Sequence, residues 1–422
     1  MGAERFCQSC SIGRLRVTRV IVIGCGVIGA MTAYELSQIQ GLEITVLDRQ
    51  PPAQGSTGAA LGVLMGVVSH KLKGRQWRLR WEGLQRYEQL VPELEAATGQ
   101  HIPFNRKGIL KLLLEGDSSE RSAEKWRSIL THRQAQNIPL ELLSAAQVQA
   151  QFPEIQAPGL VGAVYSERDR QLDPTALTLA LVTAAQQQGV RFQFDADVDG
   201  FLTTLAQTAA APPRAEPPAE SLTNSVEPEE GLHCTQVCWA EDSQPADYVV
   251  IAAGLGSSQL TGRLQQPLEI LPVLGQALQV WTPSPILGHE HLHPVITGDD
   301  VHIVPLLKPW IDEAELHPQA AAYWIGATVE LPDHQGNPAA IAKANLEAVW
   351  QKAIAFCPDL AKGEIVRTWS GYRPRPHNRP APVFEKLPGY NNVLLATAHY
   401  RNGVLLAPAT AQWVVGEVTG RA

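Results

Sequence analysis

The stretch that decides the fold runs Thr18-Arg19-Val20-Ile21-Val22-Ile23, then Gly24-Cys25-Gly26-Val27-Ile28-Gly29, then Ala30-Met31-Thr32-Ala33-Tyr34-Glu35-Leu36. It is followed by Leu42-Glu43-Ile44-Thr45-Val46-Leu47, which ends in Asp48. The first run is a continuous apolar strand of the kind buried on both faces. The glycines form a turn, the next run reads as a helix, and the last is a second strand closed by an acid. Strand, glycine turn, helix, strand and acid in this order form a dinucleotide-binding βαβ unit.

Each residue type in the unit has a physical role. Gly24 permits the tight turn, Gly26 lets backbone approach a pyrophosphate, and Gly29 lets helix pack close to strand. The helix N-terminus offers unpaired N–H groups and a partial positive charge to phosphates. Asp48 stands where a ribose diol would donate hydrogen bonds. A glycine-rich turn without a ligand is the bland alternative. The next stretch, Gly55-Ser56-Thr57-Gly58-Ala59-Ala60-Leu61-Gly62-Val63-Leu64-Met65-Gly66, is small and apolar. It suits either the wall of a flat aromatic cofactor or a packed loop.

Outward from this unit, composition narrows the class. The chain has 422 residues, 45% hydrophobic and 18% charged, so it is globular with room for two or three lobes. Its net charge of −8 argues against a nucleic-acid partner. The apolar stretch Val20 to Tyr34 is too short for a membrane span and is cut by glycines, and no signal-peptide core precedes it, so a cytoplasmic protein is expected. Cys7 and Cys10 sit in a polar leader without a second zinc-spaced pair, so no metal site is expected and the cysteines read as reduced thiols.

The remaining pattern predicts a leader over 1–16 and helices over about Gln76–Thr98, Ser122–Gln136 and Pro338–Phe356. The last has Asn337 as its N-cap. Another helix follows Asp173-Pro174, with Asp173 as N-cap and Pro174 at the first helical position. Strands are expected over Ile109–Leu113, Val190–Val198, Asp247–Gly254, Val273–Val280, Val301–Pro305 and Tyr323–Val329. Residues 206–231 carry five Glu, one Arg and five Pro, and read as a flexible acidic insertion in a hairpin. The expected fold is α/β: a nucleotide-binding domain from 17–78, 155–270 and 365–422, and an α+β substrate domain from 79–154 and 271–364 built on an antiparallel sheet.

Strands of the nucleotide lobe thus return twice, which fits a flavin better than a nicotinamide. A C-terminal strand, an Arg-Asn-Gly turn and a helix set a second helix N-terminus against the cofactor. Helix-end N–H groups stabilise the negative charge that a reduced flavin ring carries at its N1–C2 side. The candidates are the backbone amides of Asn402, Gly403, Val404 and Leu405.

The chain resembles the D-amino-acid oxidase superfamily of FAD-dependent amine oxidoreductases, most of all its glycine oxidase branch from thiamine biosynthesis. The resemblance rests on Val22 to Gly29, Ser56 to Leu64, Val250-Ile251-Ala252-Ala253-Gly254, Gly371-Tyr372-Arg373-Pro374 and His399-Tyr400-Arg401-Asn402-Gly403-Val404-Leu405-Leu406-Ala407-Pro408. It implies FAD, with its pyrophosphate at Val27 and Ile28 and its ribose at Asp48 and Arg49. Ser56, Thr57, Leu61, Gly62, Val63, Ala253 and Gly254 would line it, Val198 would meet the adenine, and His399 to Leu405 would surround the ring. It also implies that Arg373 grips a substrate carboxylate; a structural salt bridge is the alternative. Relatives with covalent flavin use a His where this chain has Ala59, or a Cys near the C-terminal motif, so non-covalent FAD is expected.

Three positions depart from the family pattern. His302 replaces a Tyr, Asn378-Arg379 replaces Asp-Gly, and Ala398 replaces a Gly. His302 reads either as a pocket residue or as a core histidine, and Arg379 as added positive charge favouring an acidic substrate. The expected activity is oxidation of a small amine or amino acid, with hydride transfer to FAD, imine hydrolysis and oxygen as acceptor. A homo-oligomer is left open. The alternatives are an FAD dehydrogenase with another acceptor, an NAD-dependent dehydrogenase, and a nucleotide-binding module whose acidic insertion recruits a partner.

Overall fold

The computed structural model describes residues 17–116, 120–205, 231–286, 293–306 and 321–421. The leader 1–16 with Cys7 and Cys10, and the acidic stretch 206–230, lie outside the described residues.

The opening stretch forms strand β1 (Thr18–Ile23), helix α1 (Val27–Ser37) and strand β2 (Leu42–Leu47). They belong to a six-stranded sheet ordered Val383–Lys386, Val393–Thr397, Tyr248–Ile251, β1, β2, Arg191–Gln193. All its pairings are parallel except that of Val383–Lys386. β1 is central because it is apolar on both faces. Val20 and Val22 pack into the core that holds α1, while Ile21 and Ile23 pack into a separate core on the other face. A fully buried Val or Ile contributes about 1.5–3 kcal/mol relative to an exposed one, so this run fixes the strand at the centre. The chain leaves β1 toward β2 on one side and returns as Tyr248–Ile251 on the other. That is the switch point at which open parallel sheets bind ligands, beyond the strands' carboxyl ends.

The second sheet has eight strands, ordered Glu364–Pro376, Ile270–Thr282, Ala321–Gly326, Val301–Pro305, Val295–Gly298, Ile109–Leu114, Leu160–Ser166, Glu141–Ser144. It is antiparallel except for one parallel pair, Val295–Gly298 beside Ile109–Leu114. One row across it runs Lys111, Thr297, His302, Gly326, Ala277, Trp369. Neighbours in register share a face, so the sequence period places His302 and Ala277 on the same side.

Sheet membership departs from the sequence reading at two segments. Leu160–Ser166 and Glu364–Pro376, expected with the nucleotide-binding lobe, hydrogen-bond into the eight-stranded sheet. Alternation of apolar residues marks a strand but not its partner. The helix expected from Pro338 begins instead at Lys343, with Ala342 at its N-cap. The Asn337 backbone and side-chain N–H groups donate to the Asp333 carboxylate at 2.9 Å each. A local Asx turn has taken the residue that was read as a cap. Strand Val190–Val198 is broken into Arg191–Gln193 and Val198–Leu205, with Asp195 at φ 59° between them. Asp173 does cap its helix, Pro174–Gln187, accepting from the N–H groups of Thr175 and Ala176 at 2.7 and 3.0 Å. No helix of the described residues is long and apolar enough to cross a membrane.

Candidate active site

A cavity of about 520 Å³ opens at the carboxyl end of β1 and extends to the eight-stranded sheet. The glycine turn forms its floor. Gly24 has φ +106°, and a Cβ there would lie 2.6 Å from the Ala252 carbonyl oxygen, so no other residue fits the turn. Gly29 does not line the cavity. A Cβ on it would lie 1.8 Å from the Gly24 oxygen, which is the close helix-to-strand approach its position requires.

Side chains that themselves line the cavity hold the turn. Asp48 accepts from the Cys25 N–H at 2.5 Å through Oδ2 and from the Gln50 N–H at 2.9 Å through Oδ1. Its carboxylate therefore reaches the cavity with its position fixed by backbone. The Val27 N–H donates to Thr57 Oγ1 at 3.0 Å, leaving Ile28 as the neighbouring first-turn amide. Ser56 donates to the Tyr372 carbonyl at 2.6 Å, which ties this loop to the strand carrying Arg373. Asp48, Arg49, Ser56, Thr57, Leu61, Gly62, Val63, Val198, Ala253 and Gly254 all line the cavity. The Val198 carbonyl already accepts from Arg263 at 3.2 Å.

At the far end the cavity meets Arg373, His302, and His399, Tyr400, Arg401, Gly403, Val404 and Leu405. Arg373 lies on strand Glu364–Pro376. Its guanidinium crosses Gly275, where a Cβ would come within 2.4 Å of both Nη atoms. Nη1 donates to the carbonyls of Leu274 and Thr328 at 3.1 and 3.0 Å. No carboxylate of the described residues forms a salt bridge with it, so the structural-bridge alternative has no partner there. Burial lowers its pKa, and the positive charge of Arg401 lowers it further. A guanidinium stays protonated regardless, so the cavity wall carries a positive charge at this point, on which Asp300 and Glu330 act without forming an ion pair with it.

His302 lines the same cavity, and its Nδ1 is buried without a hydrogen-bond partner. Burial first, and Arg401 second, push its pKa down to about 3, against the opposing pull of Asp300. It is a neutral imidazole facing the site. His399 is also neutral, driven to about 3 by burial, and shares a 2.9 Å hydrogen bond with Thr410. Arg401 pairs with Asp300 at 2.9 Å. Arg379 is corrected: it pairs with Glu385 at 2.7 Å, lies outside the cavity lining, and adds no charge there. Asn402 also lies outside the lining. Sequence reading missed Gly275 and Ala277 in the site wall, although two small residues at alternate positions of one strand mark a face kept open.

The donor set fits a dinucleotide with a flat ring. Two helices direct their N-termini at one cavity: α1, with Gly26 at its N-cap, and Gly403–Thr419, with Asn402 at its N-cap. In neither helix does the N-cap residue's own side chain cap the first turn, and at α1 Thr57 takes the Val27 N–H alone. Open helix ends bind anionic groups, one suited to a pyrophosphate and the other to the edge of a ring that gains electrons. Ala59 lines the cavity, and no cysteine of the described residues does.

A family model described as FAD dependent oxidoreductase (DAO) matches residues 19–416. A glycine oxidase of Bacillus licheniformis is 26% identical over 400 residues, 95% of this chain and 92% of that protein. A bifunctional ThiO/ThiG protein of Synechocystis is 29% identical over 403 residues, covering 93% of this chain but 50% of its own length. The crystal structure of glycine oxidase from Geobacillus kaustophilus superposes with a TM-score of 0.76 at 23% identity, covering 96% of each chain.

Proposed function

Because the chain belongs to the DAO family of FAD-dependent oxidoreductases, we propose that this cavity oxidises a small amino acid or amine carrying a carboxylate, in the manner of a glycine oxidase. Arg373 carries the reading: a half-buried cation in no salt bridge with a described carboxylate, lining the cavity that the two helix N-termini also face. Its guanidinium offers two parallel N–H donors to a substrate carboxylate.

FAD supplies the hydride acceptor when bound, and Asp48, Ile28 and the first turn of Gly403–Thr419 would hold it. Arg373 fixes the substrate's carboxylate end and so orients the α-carbon, an effect that supplies much of the acceleration in reactions with few acid–base groups. His302 is uncharged and serves as a hydrogen-bonding wall for the amine end. An uncharged neighbour suits a neutral amine, whose lone pair assists hydride departure. The resulting imine hydrolyses to the oxo acid, and oxygen is the proposed final acceptor.

The test is anaerobic mixing of the FAD-loaded protein with glycine, sarcosine and the corresponding amines lacking a carboxylate. Bleaching of the flavin by the carboxylates and not by the amines is expected. Bleaching by none of them would sink the reading. Peroxide released on admitting air separates an oxidase from a dehydrogenase that uses another acceptor.

A further inference from the structure

The helix Gly403–Thr419 begins at Asn402, a residue that ordinarily accepts hydrogen bonds from the N–H groups two and three positions on. Here it caps nothing. Its Oδ1 instead accepts from Arg80 Nη1 at 3.0 Å, and the same Nη1 donates to the Met65 carbonyl at 3.2 Å. A guanidinium only donates, so the amide oxygen of Asn402, not its nitrogen, must face Arg80. The side chain is thereby turned away from the cavity, while Gly403, Val404 and Leu405 line it.

We propose that Arg80 is a positioning residue that holds the N-cap side chain off the helix end, leaving the first-turn N–H groups open to the flavin ring. Arg80 is half-buried, its Nε is buried without a hydrogen-bond partner, and it forms no salt bridge with any described residue. The negative charge that acts on it is that of Asp169, whose carboxylate accepts from three consecutive backbone N–H groups, Gly66, Val67 and Val68, at 2.7 Å each. The rest of the same helix braces the same turn. Tyr87 donates to the Val404 carbonyl at 2.5 Å, and Gly83 lies against the Leu405 carbonyl. Arg80, Gly83 and Tyr87 stand at helical spacing on one face of Arg75–Thr98. Without Arg80, Asn402 returns to its usual capping role and competes with the ring for the same donors.

The inference rests on FAD occupying this cavity. Failure of that premise is read on the parent chain alone: a parent that takes up no FAD overturns both. The variants Arg80→Met, Asn402→Ala and the double variant are compared by the FAD dissociation constant of the apoprotein and by the midpoint potential of the bound flavin. Arg80→Met is expected to raise the dissociation constant about tenfold, within the range of buried helix-end interactions. It should also move the two-electron potential negative by about 30 mV, the equivalent of a tenfold change. Asn402→Ala, which removes the competing oxygen, should stay within about twofold of the parent, and the double variant should recover most of the loss, since no cap remains to close the helix end. Parent-like behaviour of Arg80→Met, or a loss that persists undiminished in the double variant, overturns the proposal. So does a tenfold loss in Asn402→Ala alone, which can be measured even if Arg80→Met does not fold.

Discussion

At the scale of single residues, Arg373 and Gly275 act as one unit. The guanidinium lies across a glycine because any side chain there would occupy its place; the nearest approach would be 2.4 Å. Gly275→Ala is therefore expected to displace the fork and raise KM for a carboxylate substrate, with a smaller effect on FAD affinity. Arg373→Lys keeps the charge but loses the two parallel donors, so kcat/KM should fall about tenfold to a hundredfold, the size of a charge-assisted hydrogen bond. A substrate analogue without a carboxylate should show almost none of this difference between parent and variant. Equal losses for both compounds, in steady-state kinetics, would mean that Arg373 does not meet the carboxylate.

At the scale of elements, the helix Arg75–Thr98 is the brace for the C-terminal helix. Gly83 sits at their contact, where a Cβ would lie 2.1 Å from the Leu405 carbonyl oxygen. In an open helix, Gly→Ala would stabilise by about 1 kcal/mol through propensity. At this contact the clash with fixed backbone should win, so Gly83→Ala should lower both Tm and FAD affinity. A rise in Tm on thermal melting would show that the two helices are not held this close. The sequence made some of these elements plain and others not. The β1–α1–β2 unit was legible because its signal is local: apolar run, three glycines and Asp48 within one stretch. The cavity wall at His399 to Arg401 and Gly403 to Leu405 was legible through family resemblance, which also named Asn402 although it lies outside the lining. The pairing of Glu364–Pro376 with Ile270–Thr282 was not, because partner choice depends on contacts between segments far apart in the chain. Asn337 was misread because the same side chain suits a helix cap and an Asx turn, and Asp333 decides between them. Arg80 gave no signal, since an arginine in an amphipathic helix ordinarily faces solvent.

At the scale of the molecule, two lobes meet at a cavity whose walls carry Arg373 and Arg401, although the chain as a whole is acidic. The acidic insertion over 206–231 holds one Arg against five Glu, so half of the net −8 belongs to a segment outside the described site. The buried histidines then set the response to acid. His302 and His399 are held neutral, their pKa values pushed down to about 3, and His293 to about 4, in each case chiefly by burial. Unfolded histidine titrates near 6.5. As pH falls through that value the unfolded chain takes up protons at these positions while the native chain does not, so the native state loses stability from about pH 6.5 down to its own pKa values. Buried carboxylates pull the other way. Burial raises the pKa of Glu35, Asp169 and Asp173, so the native chain binds those protons first and gains stability at the acid end. Uptake by these carboxylates begins at their raised native values, above the ordinary carboxylate range, so the histidine contribution is isolated by comparing the parent with a histidine variant. As pH is lowered from 7 to 5, the Tm of His399→Gln should therefore fall less, or rise more, than that of the parent, since the variant removes one protonation that only the unfolded state undergoes. Parallel Tm curves for parent and variant over this interval would show that His399 carries the same protonation in both states, and that the helix end beside it is wetter than its burial indicates.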